Sequence, residues 1–283
     1  EPTHHRLAHP IPDQWRRCAV EAGQGVGDLV GQAPDAQDHR PQGRAHGHRH
    51  TSLTVNTTAP QQPVRSFHSR QGRISPLNRD VLQRHQGGLL VSIADVQRHG
   101  LQHLVGDRDV VLEIGCGFGE ATVAMANADD ATVVLAIDVH LRGLARLLRQ
   151  VDASGLTNVR AVQGDARELL HSAIAPASLH GIRVYFPDPW PKGRHIKRRL
   201  LDADFVELAA SRLRSGGFIH CATDWEPYAE QMLQVLSGSP AFTNDSSTDD
   251  GFTPRPSWRP LTRYESIGLA KGHVVHDLLF TRQ

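Results

Sequence analysis

Short apolar runs rich in β-branched residues alternate with helix-like segments along most of this chain, and this alternation limits the possible folds. The apolar runs are Val110–Ile114, Thr132–Ile137, Val159–Gln163, Ile182–Phe186 and Phe218–Ala222. The helix-like segments that follow them are Ala121–Asn127, Leu141–Asp152, Ala166–Ser172, Leu200–Leu213 and Pro227–Leu236. Strands that alternate with helices form right-handed crossovers and a parallel sheet covered on both faces. The sequence therefore predicts a doubly wound α/β domain.

The two ends of the chain depart from this alternation. Residues 1–60 show little apolar periodicity and are rich in Gly, Pro, Gln and Arg, which is typical of a disordered tail. Residues 61–283 are predicted to form one domain, with residues 61–105 as a lead-in that contains a helix-like stretch from Val81 to His103. Near the C-terminus, Tyr264–Gly268 and Val274–Thr281 are predicted to be extended segments that add an antiparallel edge to the sheet.

Composition excludes several classes of protein. A formal net charge of +1 and a pI near 8.1 leave no bulk positive charge, so a nucleic-acid site would require local clusters. No apolar run reaches the roughly 18 residues of a membrane span, and no signal peptide is recognisable, so a cytoplasmic location is expected. Cys18, Cys116 and Cys221 are far apart and form no CxxC pair, which predicts free thiols and no metal site.

A glycine-rich turn follows the first predicted strand and opens a helix. It reads Glu113-Ile-Gly115-Cys-Gly117-Phe-Gly119, which is a GxGxG spacing preceded by an acid. Glycines allow the backbone to approach a ligand closely at the carboxyl edge of a strand. Dinucleotide sites prefer GxGxxG, with a pyrophosphate at the helix N-terminus, so an uncharged or cationic ligand suits this turn better.

Two further acids stand at the ends of the next two predicted strands. Asp138 ends the second strand, at about the distance from the glycines where an acid reaches ribose hydroxyls, and Asp165 ends the third. Together with Glu113 they should converge on one crevice. That crevice suits a ligand with ribose hydroxyls, an adenine amine and a positive charge, which predicts S-adenosylmethionine as the cofactor.

The fourth strand leads into a segment in which Asp188 lies between two prolines and is followed by Trp190. The prolines restrict the backbone around the Asp188 carboxylate. Trp190 either stacks on a substrate base or packs as a wedge. The run from Lys192 to Arg199 then carries five Lys or Arg residues and one His, which predicts a phosphate-binding cluster beside the pocket.

These segments resemble the bacterial tRNA (guanine-N7)-methyltransferases, which are class I enzymes that use S-adenosylmethionine and act on guanosine 46 in the variable loop. The resemblance extends from about Arg65 to the C-terminus. It includes RSF and QGR near the start, the EIGxGxG turn, FPDPWPK with RHIKRR, TDWEPYAE at residues 223–230, RP at 255–256 and TRYE at 262–265. The resemblance implies a Rossmann-like class I methyltransferase fold with tRNA as the partner. The oligomeric state stays open between a monomer and a homodimer.

The resemblance also implies roles for individual residues, with Asp188 as the catalytic residue. The implied cofactor contacts are Glu113, Gly115, Gly117, Gly119, Asp138, Asp165 and Asp188. The implied substrate contacts are Lys192, Asp224, Thr262, Arg263, Tyr264 and Glu265. The implied RNA contacts are Arg194, His195, Lys197, Arg198 and Arg199.

Three other functions remain open on sequence grounds. Asp188-Pro-Trp190 is similar to the loop with which exocyclic-amine methyltransferases accept amine hydrogens, although only one proline precedes the Trp. An RNA-binding module that has lost catalysis would not need its acids and glycines intact. An NAD-dependent oxidoreductase is disfavoured by the GxGxG spacing and by the lack of a hydride-site His or Tyr-Lys pair.

Overall fold

The computed structural model of the chain describes residues 66–67 and 72–283. The predicted tail, the first residues of the lead-in, and Cys18 lie outside the described residues. The helices are α1 (Pro76–His85), α2 (Ile93–His99), α3 (Leu101–Val105), α4 (Glu120–Ala128), α5 (Leu141–Ser154), α6 (Ala166–Ser172), α7 (Ala203–Arg212), α8 (Glu226–Ser237) and α9 (Arg263–Ala270). The strands are β1 (Leu90–Ser92), β2 (Val110–Ile114), β3 (Val133–Asp138), β4 (Val159–Gln163), β5 (Leu179–Tyr185), β6 (Leu213–Thr223), β7 (Phe242–Asn244) and β8 (His276–Arg282).

The strands form one eight-stranded sheet in the order β1-β4-β3-β2-β5-β6-β8-β7. The first six are parallel to their neighbours, and β8 lies antiparallel between β6 and β7. This order confirms the predicted doubly wound, mostly parallel sheet with an antiparallel C-terminal edge. The chain reverses its winding direction beside β2, and open α/β sheets bind ligands at such a point.

Two apolar layers cover the sheet. The layer beneath α5 contains Leu144, Leu147 and Leu148. The layer on the opposite face is larger and includes Phe205 from α7 and Met232 from α8. β2 is buried along its whole length, as expected for a central parallel strand covered on both faces.

Two sequence predictions were wrong in secondary structure. Residues 264–268 lie in α9 rather than in a strand, because Thr262 caps the helix and accepts a hydrogen bond from the Glu265 N–H at 3.3 Å. The single helix predicted from Val81 to His103 is instead divided into α1, β1, α2 and α3. A capping box at Ser92 and Asp95 starts α2 directly after β1.

Cys116 and Cys221 are buried free thiols, as predicted. Within residues 66–67 and 72–283, no helix is both long enough and apolar enough to cross a bilayer. No cluster of three or more potential metal ligands occurs in the same part of the chain.

Candidate active site

The glycine turn lies at the carboxyl edge of the sheet between β2 and α4. Gly115, Gly117 and Gly119 have φ values of 78°, 55° and 82°, which lie in the region that favours glycine. At Gly119 a Cβ atom would come within 2.5 Å of Leu147 Cδ1, so close packing against α5 also requires glycine there. The turn therefore places its backbone against α5 without intervening side chains.

Asp138 ends β3 and holds this turn in place. One carboxylate oxygen, Oδ2, accepts a hydrogen bond from the Gly117 N–H at 2.9 Å. The other, Oδ1, accepts one from the His140 N–H at 2.8 Å and lies 3.1 Å from His140 Nδ1. Because Asp138 also lines the neighbouring cavity, it connects the glycine turn to any ligand bound there.

Glu113 is 3% exposed near the end of β2. Burial raises the pKa of its carboxyl group, while the nearby Thr122 hydroxyl and the positive charge of Arg183 act in the opposite direction. Its Oε2 atom is buried and has no hydrogen-bond partner among the described residues. A buried carboxylate oxygen without a hydrogen-bond partner lowers the free energy of unfolding, and a positive charge or a hydrogen-bond donor nearby would reduce that loss.

Asp165 follows β4 and is the N-cap of α6, where its side chain accepts a hydrogen bond from the Arg167 N–H at 2.7 Å. Its neighbours Gly164 and Ala166 line the cavity. Asp165 thus lies beside the cavity and has a structural role as a helix cap. Both observations agree with its predicted position at a strand end.

A cavity of about 180 Å³ lies along this edge of the sheet, where β2, β3, β4 and β5 end. A second cavity of about 330 Å³ adjoins it and extends towards the start of α5, where Arg142 contributes to its wall. Asp138 and His140 line both cavities, which therefore form one crevice. The crevice lies where the sheet topology predicts a ligand site.

Asp188 lines the first cavity from a loop whose backbone is strained. Phe186 and Trp190 have positive φ angles of 50° and 43°, a conformation that costs a non-glycine residue about 1–3 kcal/mol. Contacts outside the loop offset this strain. Trp190 Nε1–H donates to the Ser66 carbonyl at 3.1 Å, and Arg199 Nε–H donates to the Pro189 carbonyl at 2.9 Å. These contacts fix the position of the Asp188 backbone at the cavity wall.

Trp190 itself packs as a wedge, which is one of the two roles that its sequence position allowed. It is 5% exposed. The Arg198 guanidinium lies 4.9 Å from the ring centre, and the His195 ring makes an edge contact at 5.8 Å. The ring therefore has no free face on which a base could stack.

The basic residues after Trp190 form a basic turn, Lys192–Arg198, which is 3₁₀ helix over Gly193–Arg198, and they differ in exposure. Lys192, Arg194 and Lys197 are exposed, while His195 and Arg198 are half-buried against Trp190.

Arg199 does not belong to this exposed group. It is 5% exposed, and its Nη1 donates to the Pro227 carbonyl at 3.1 Å and to Gln231 Oε1 at 2.7 Å. Its guanidinium also lies 4.8 Å from the centre of the Tyr228 ring. Arg199 therefore holds the basic turn against α8 and is not part of the exposed surface that could contact RNA.

Four of the six implied substrate residues, Thr262 to Glu265, lie at the start of α9, and Asp224 lies beside the turn that follows this helix. The Tyr264 ring is 60% exposed and lies 5.2 Å from the Phe186 ring. Partial burial, together with the negative charges of Asp224 and Asp188, raises the Tyr264 pKa. Asp224 Oδ2 lies 2.8 Å from His273 Nδ1, so its carboxylate is oriented by the turn after α9. Tyr264 thus packs on Phe186, which lines the crevice, and lies close enough to Asp224 and Asp188 to be affected by their charges.

The residues on either side of Tyr264 anchor α9. Thr262 provides the N-cap, and the Arg263 N–H donates to Glu120 Oε2 at 2.9 Å, which ties α9 to the start of α4. Glu265 is 2% exposed, and both of its oxygens accept hydrogen bonds of 2.7 Å from Arg259. The structure therefore separates Glu265, in the interior, from its exposed neighbour Tyr264.

Glu265 belongs to a buried polar network that sequence reasoning missed. Arg259 Nη2 also donates to Asp277 Oδ2 at 2.9 Å, and Asp277 Oδ1 lies 2.8 Å from His220 Nε2. His220 Nδ1 lies 2.8 Å from the Tyr185 hydroxyl, and Tyr185 lines the first cavity. This network runs from α9 through the sheet to the crevice wall. An ionisable residue in an otherwise apolar predicted strand, as at His220, is the signal that could have revealed it.

A family described as "Putative methyltransferase" matches residues 107–278 of this chain. Among curated proteins, the tRNA (guanine-N(7)-)-methyltransferase of Streptomyces avermitilis is 49% identical over 259 residues, covering 84% of this chain and 87% of that protein. The protein of the same name from Streptomyces coelicolor is 52% identical over 223 residues, covering 78% and 82%. That of Nitrosospira multiformis is 45% identical over 232 residues, covering 80% and 97%.

The solved structures that match this chain are less similar to it in sequence than the curated proteins are. The aminoglycoside resistance methyltransferase NpmB1 is 18% identical, with a TM-score of 0.44, over 66% of this chain and 93% of that one. TrmN from Thermus thermophilus is also 18% identical, with a TM-score of 0.43, over 68% of this chain and 48% of that one.

Proposed function

Because this chain belongs to the tRNA (guanine-N7)-methyltransferase family, we propose that it transfers the methyl group of S-adenosylmethionine to N7 of a guanine in tRNA. The observation that carries the proposal is the position of Asp188. Asp188 lines the crevice, and its negative charge contributes to the raised pKa of the exposed Tyr264. The target we propose is guanosine 46 of the variable loop.

The residues of the crevice suit this cofactor. Its sulfur carries a positive charge, and Glu113 places a buried carboxyl group directly before Ile114 and Gly115, which line the crevice. Asp138 can accept further hydrogen bonds from ribose hydroxyls because each carboxylate oxygen has two lone pairs. Backbone groups of Gly115, Gly117 and Gly119 would hold the amino-acid end, and Asp165 would lie near the base. When bound, S-adenosylmethionine supplies an electrophilic methyl group.

The acceptor atom requires little chemistry from the protein. Guanine N7 has an exposed lone pair and no proton, so no general base is needed. Positive charge moves onto the purine as the methyl group is transferred, and a carboxylate fixed nearby stabilises that charge. Asp188 is suited to this role because its loop is held at Pro189 and at Trp190. Its contribution is to orient the guanine and to stabilise the developing positive charge.

Guanine is distinguished from adenine by its N1–H and N2 donors, which require an acceptor. Asp224 provides one, with its carboxylate oriented by His273. Glu265 has both oxygens engaged by Arg259, so we assign it to the positioning of α9 rather than to direct base contact. The exposed ring of Tyr264 is the surface on which the guanine stacks once it leaves its place in the tRNA.

The exposed Lys192, Arg194 and Lys197 would contact tRNA phosphates next to the crevice, with His195 and Arg198 at the edge of that surface. A tRNA substrate implies that the enzyme acts in the cytoplasm. No further protein is needed for this activity, and it is compatible with a monomer or a homodimer.

The test is methyl transfer from labelled S-adenosylmethionine to an unmodified tRNA transcript, followed by borohydride and aniline treatment, which cleaves at N7-methylguanosine. We expect incorporation with a single cleavage in the variable loop. Incorporation without cleavage would instead indicate methylation of an exocyclic amine. Absence of incorporation, with tRNA binding intact, would indicate a binding module that has lost catalysis.

Asp188→Asn isolates the catalytic carboxylate in the same assay. It preserves shape and removes the charge, so we expect the methylation rate to fall about 10²- to 10³-fold, as when one electrostatic group is lost from an active site. Affinity for tRNA should change by less than about twofold. Asp249→Asn, at an exposed position away from the crevice, is the matched control. A wild-type rate for Asp188→Asn would exclude the proposed role.

A further inference from the structure

Helix α5 carries three exposed arginines along one face. They are Arg142, Arg146 and Arg149, at spacings of four and three residues. With 3.6 residues per turn, the three lie within about 60° of arc and extend over about 10 Å of the helix. The opposite face packs Leu144, Leu147 and Leu148 into the core. The positive face is therefore fixed by the packing of the helix.

These arginines have no acidic partners. None of the three forms an ion pair with a carboxylate of the described residues. Other arginines at the surface do form such pairs. Arg167 lies 2.7 Å from Asp202, and Arg214 binds Asp109 through two nitrogens. The face of α5 thus concentrates positive charge in a chain whose formal net charge is only +1.

An exposed aromatic ring lies within the same surface. Phe118, at the tip of the glycine turn, is 51% exposed. The Arg146 guanidinium lies 4.8 Å from its ring centre, and Gln150 Nε2 donates to the Phe118 carbonyl at 2.5 Å. Positive charge interleaved with an exposed aromatic ring is the surface composition that binds nucleic-acid strands.

The α5 surface, defined as Phe118, Arg142, Arg146 and Arg149, begins at the crevice. Arg142 and Phe118 line the second cavity together with Gly117 and Asp138. In the sheet, β3 and β5 flank β2. α5 follows β3, and the basic 3₁₀ turn begins eight residues after β5 ends. Positive charge therefore lies on both sides of the glycine turn that follows β2.

We propose that the α5 surface is a second contact site for the phosphate backbone of the tRNA, separate from the basic turn at Lys192–Arg198. This inference rests on the proposed function for its ligand. An RNA whose target base enters the crevice extends beyond it, and the α5 surface neutralises phosphates on the side opposite the basic turn. A membrane surface is a poorer partner, because the apolar face of α5 is buried rather than available for insertion.

The experiment measures affinity for an unmodified tRNA transcript as a function of salt concentration, using Arg146→Ala/Arg149→Ala. We expect the double variant to bind about 5- to 20-fold more weakly at low salt. The slope of log K against log salt should fall in magnitude by about 1.4–1.8, which corresponds to two lost phosphate contacts. Arg146→Lys/Arg149→Lys keeps both charges and should restore most of the slope.

Arg98→Ala/Lys271→Ala is the matched control, because it removes the same charge at two exposed positions, in α2 and just after α9, outside the α5 surface and the basic turn. The control should keep the wild-type slope. An unchanged slope in Arg146→Ala/Arg149→Ala would overturn the proposal, and so would an equal loss in both double variants, which would reflect net charge alone. Thermal unfolding and affinity for S-adenosylmethionine, measured in parallel, should be unchanged in both. Wild-type binding and methylation of the same transcript report separately on the proposed function.

Discussion

Tyr264 and Trp190 lie near the same carboxylate but offer different surfaces. Trp190 is enclosed by Arg198, His195 and the Ser66 carbonyl. Tyr264 keeps 60% of its surface exposed and contacts Phe186 at the crevice. The proposed stacking partner of a flipped guanine is therefore Tyr264 in α9, while Trp190 maintains the shape of the Asp188 loop.

This difference predicts that substitutions of the two residues affect different properties, tRNA binding for Tyr264 and thermal stability for Trp190. Tyr264→Ala removes the stacking ring and should weaken productive tRNA binding by about 1–3 kcal/mol, while Tyr264→Phe should be nearly neutral. Trp190→Phe loses the hydrogen bond to Ser66 and should instead lower thermal stability. Steady-state kinetics together with thermal unfolding distinguish the two effects. If Tyr264→Ala methylated tRNA with wild-type kcat/KM, base stacking would have to be assigned elsewhere.

At the level of secondary-structure elements, the buried network explains how α9 is held in place. Arg259 joins Glu265 of α9 to Asp277 of β8, and His220 joins Asp277 to Tyr185 of β5. Burial lowers the pKa of His220, so its ring is neutral near pH 7. The Asp277 carboxylate can only accept, so His220 donates from Nε2 and accepts a hydrogen bond from the Tyr185 hydroxyl at Nδ1.

The network also predicts how stability depends on pH. Burial lowers the pKa of His220, although Asp277 acts in the opposite direction. The unfolded chain therefore takes up this proton first as pH falls below about 6.5, and the native state loses stability towards lower pH. Above that pH the contribution of His220 is fully present.

Urea unfolding at pH 7.5 and at pH 5.5 measures this effect. His220→Gln removes the titrating group, so the stability lost on acidification should be smaller than in the wild type, by up to about 1.4 kcal/mol for each pH unit. His171→Gln, at an exposed position on α6, should retain the wild-type dependence. An identical pH dependence in all three proteins would mean that His220 does not titrate on unfolding.

The periodicity of apolar residues and the spacing of the motifs were sufficient to predict the central strands and helices. β2, β4 and α6 have the predicted bounds, because apolar runs with capping acids at their ends carry strong local signals. α9 was misread because its aromatic and β-branched residues resemble a strand, although Thr262 and Glu265 stand at the spacing of a helix start. β7 has only three residues and carries no comparable signal.

Side-chain burial was harder to predict than position. Arg198 and Arg199 are adjacent basic residues, yet only Arg199 is almost fully buried, because the direction of each side chain depends on the 3₁₀ turn and on α8. Asp138 could be placed because every strand end in a parallel sheet faces the same crevice. Arg259 and Asp277 could not be paired, because their contact joins a loop to a strand 18 residues away.

Across the whole molecule, function concentrates at one edge of the sheet. The glycine turn, Asp138 and Asp188 form a crevice there, and Tyr264 contacts Phe186 in its wall. Basic residues of α5 and of the basic turn lie beside the crevice within a nearly neutral chain. This arrangement brings a negatively charged polymer to a site that accommodates a small cationic cofactor.

Transfer of the methyl group to guanine N7 is what distinguishes the proposed activity from methylation of an exocyclic amine. A tRNA transcript with 7-deazaguanosine at position 46 tests it most directly, because carbon replaces the acceptor nitrogen while the exocyclic amine and the N1–H remain. We predict that the protein binds this transcript within about twofold of the guanosine form and transfers no label from S-adenosylmethionine to it, while the guanosine form is labelled. Equal labelling of the two transcripts would exclude N7 of guanosine 46 as the acceptor atom.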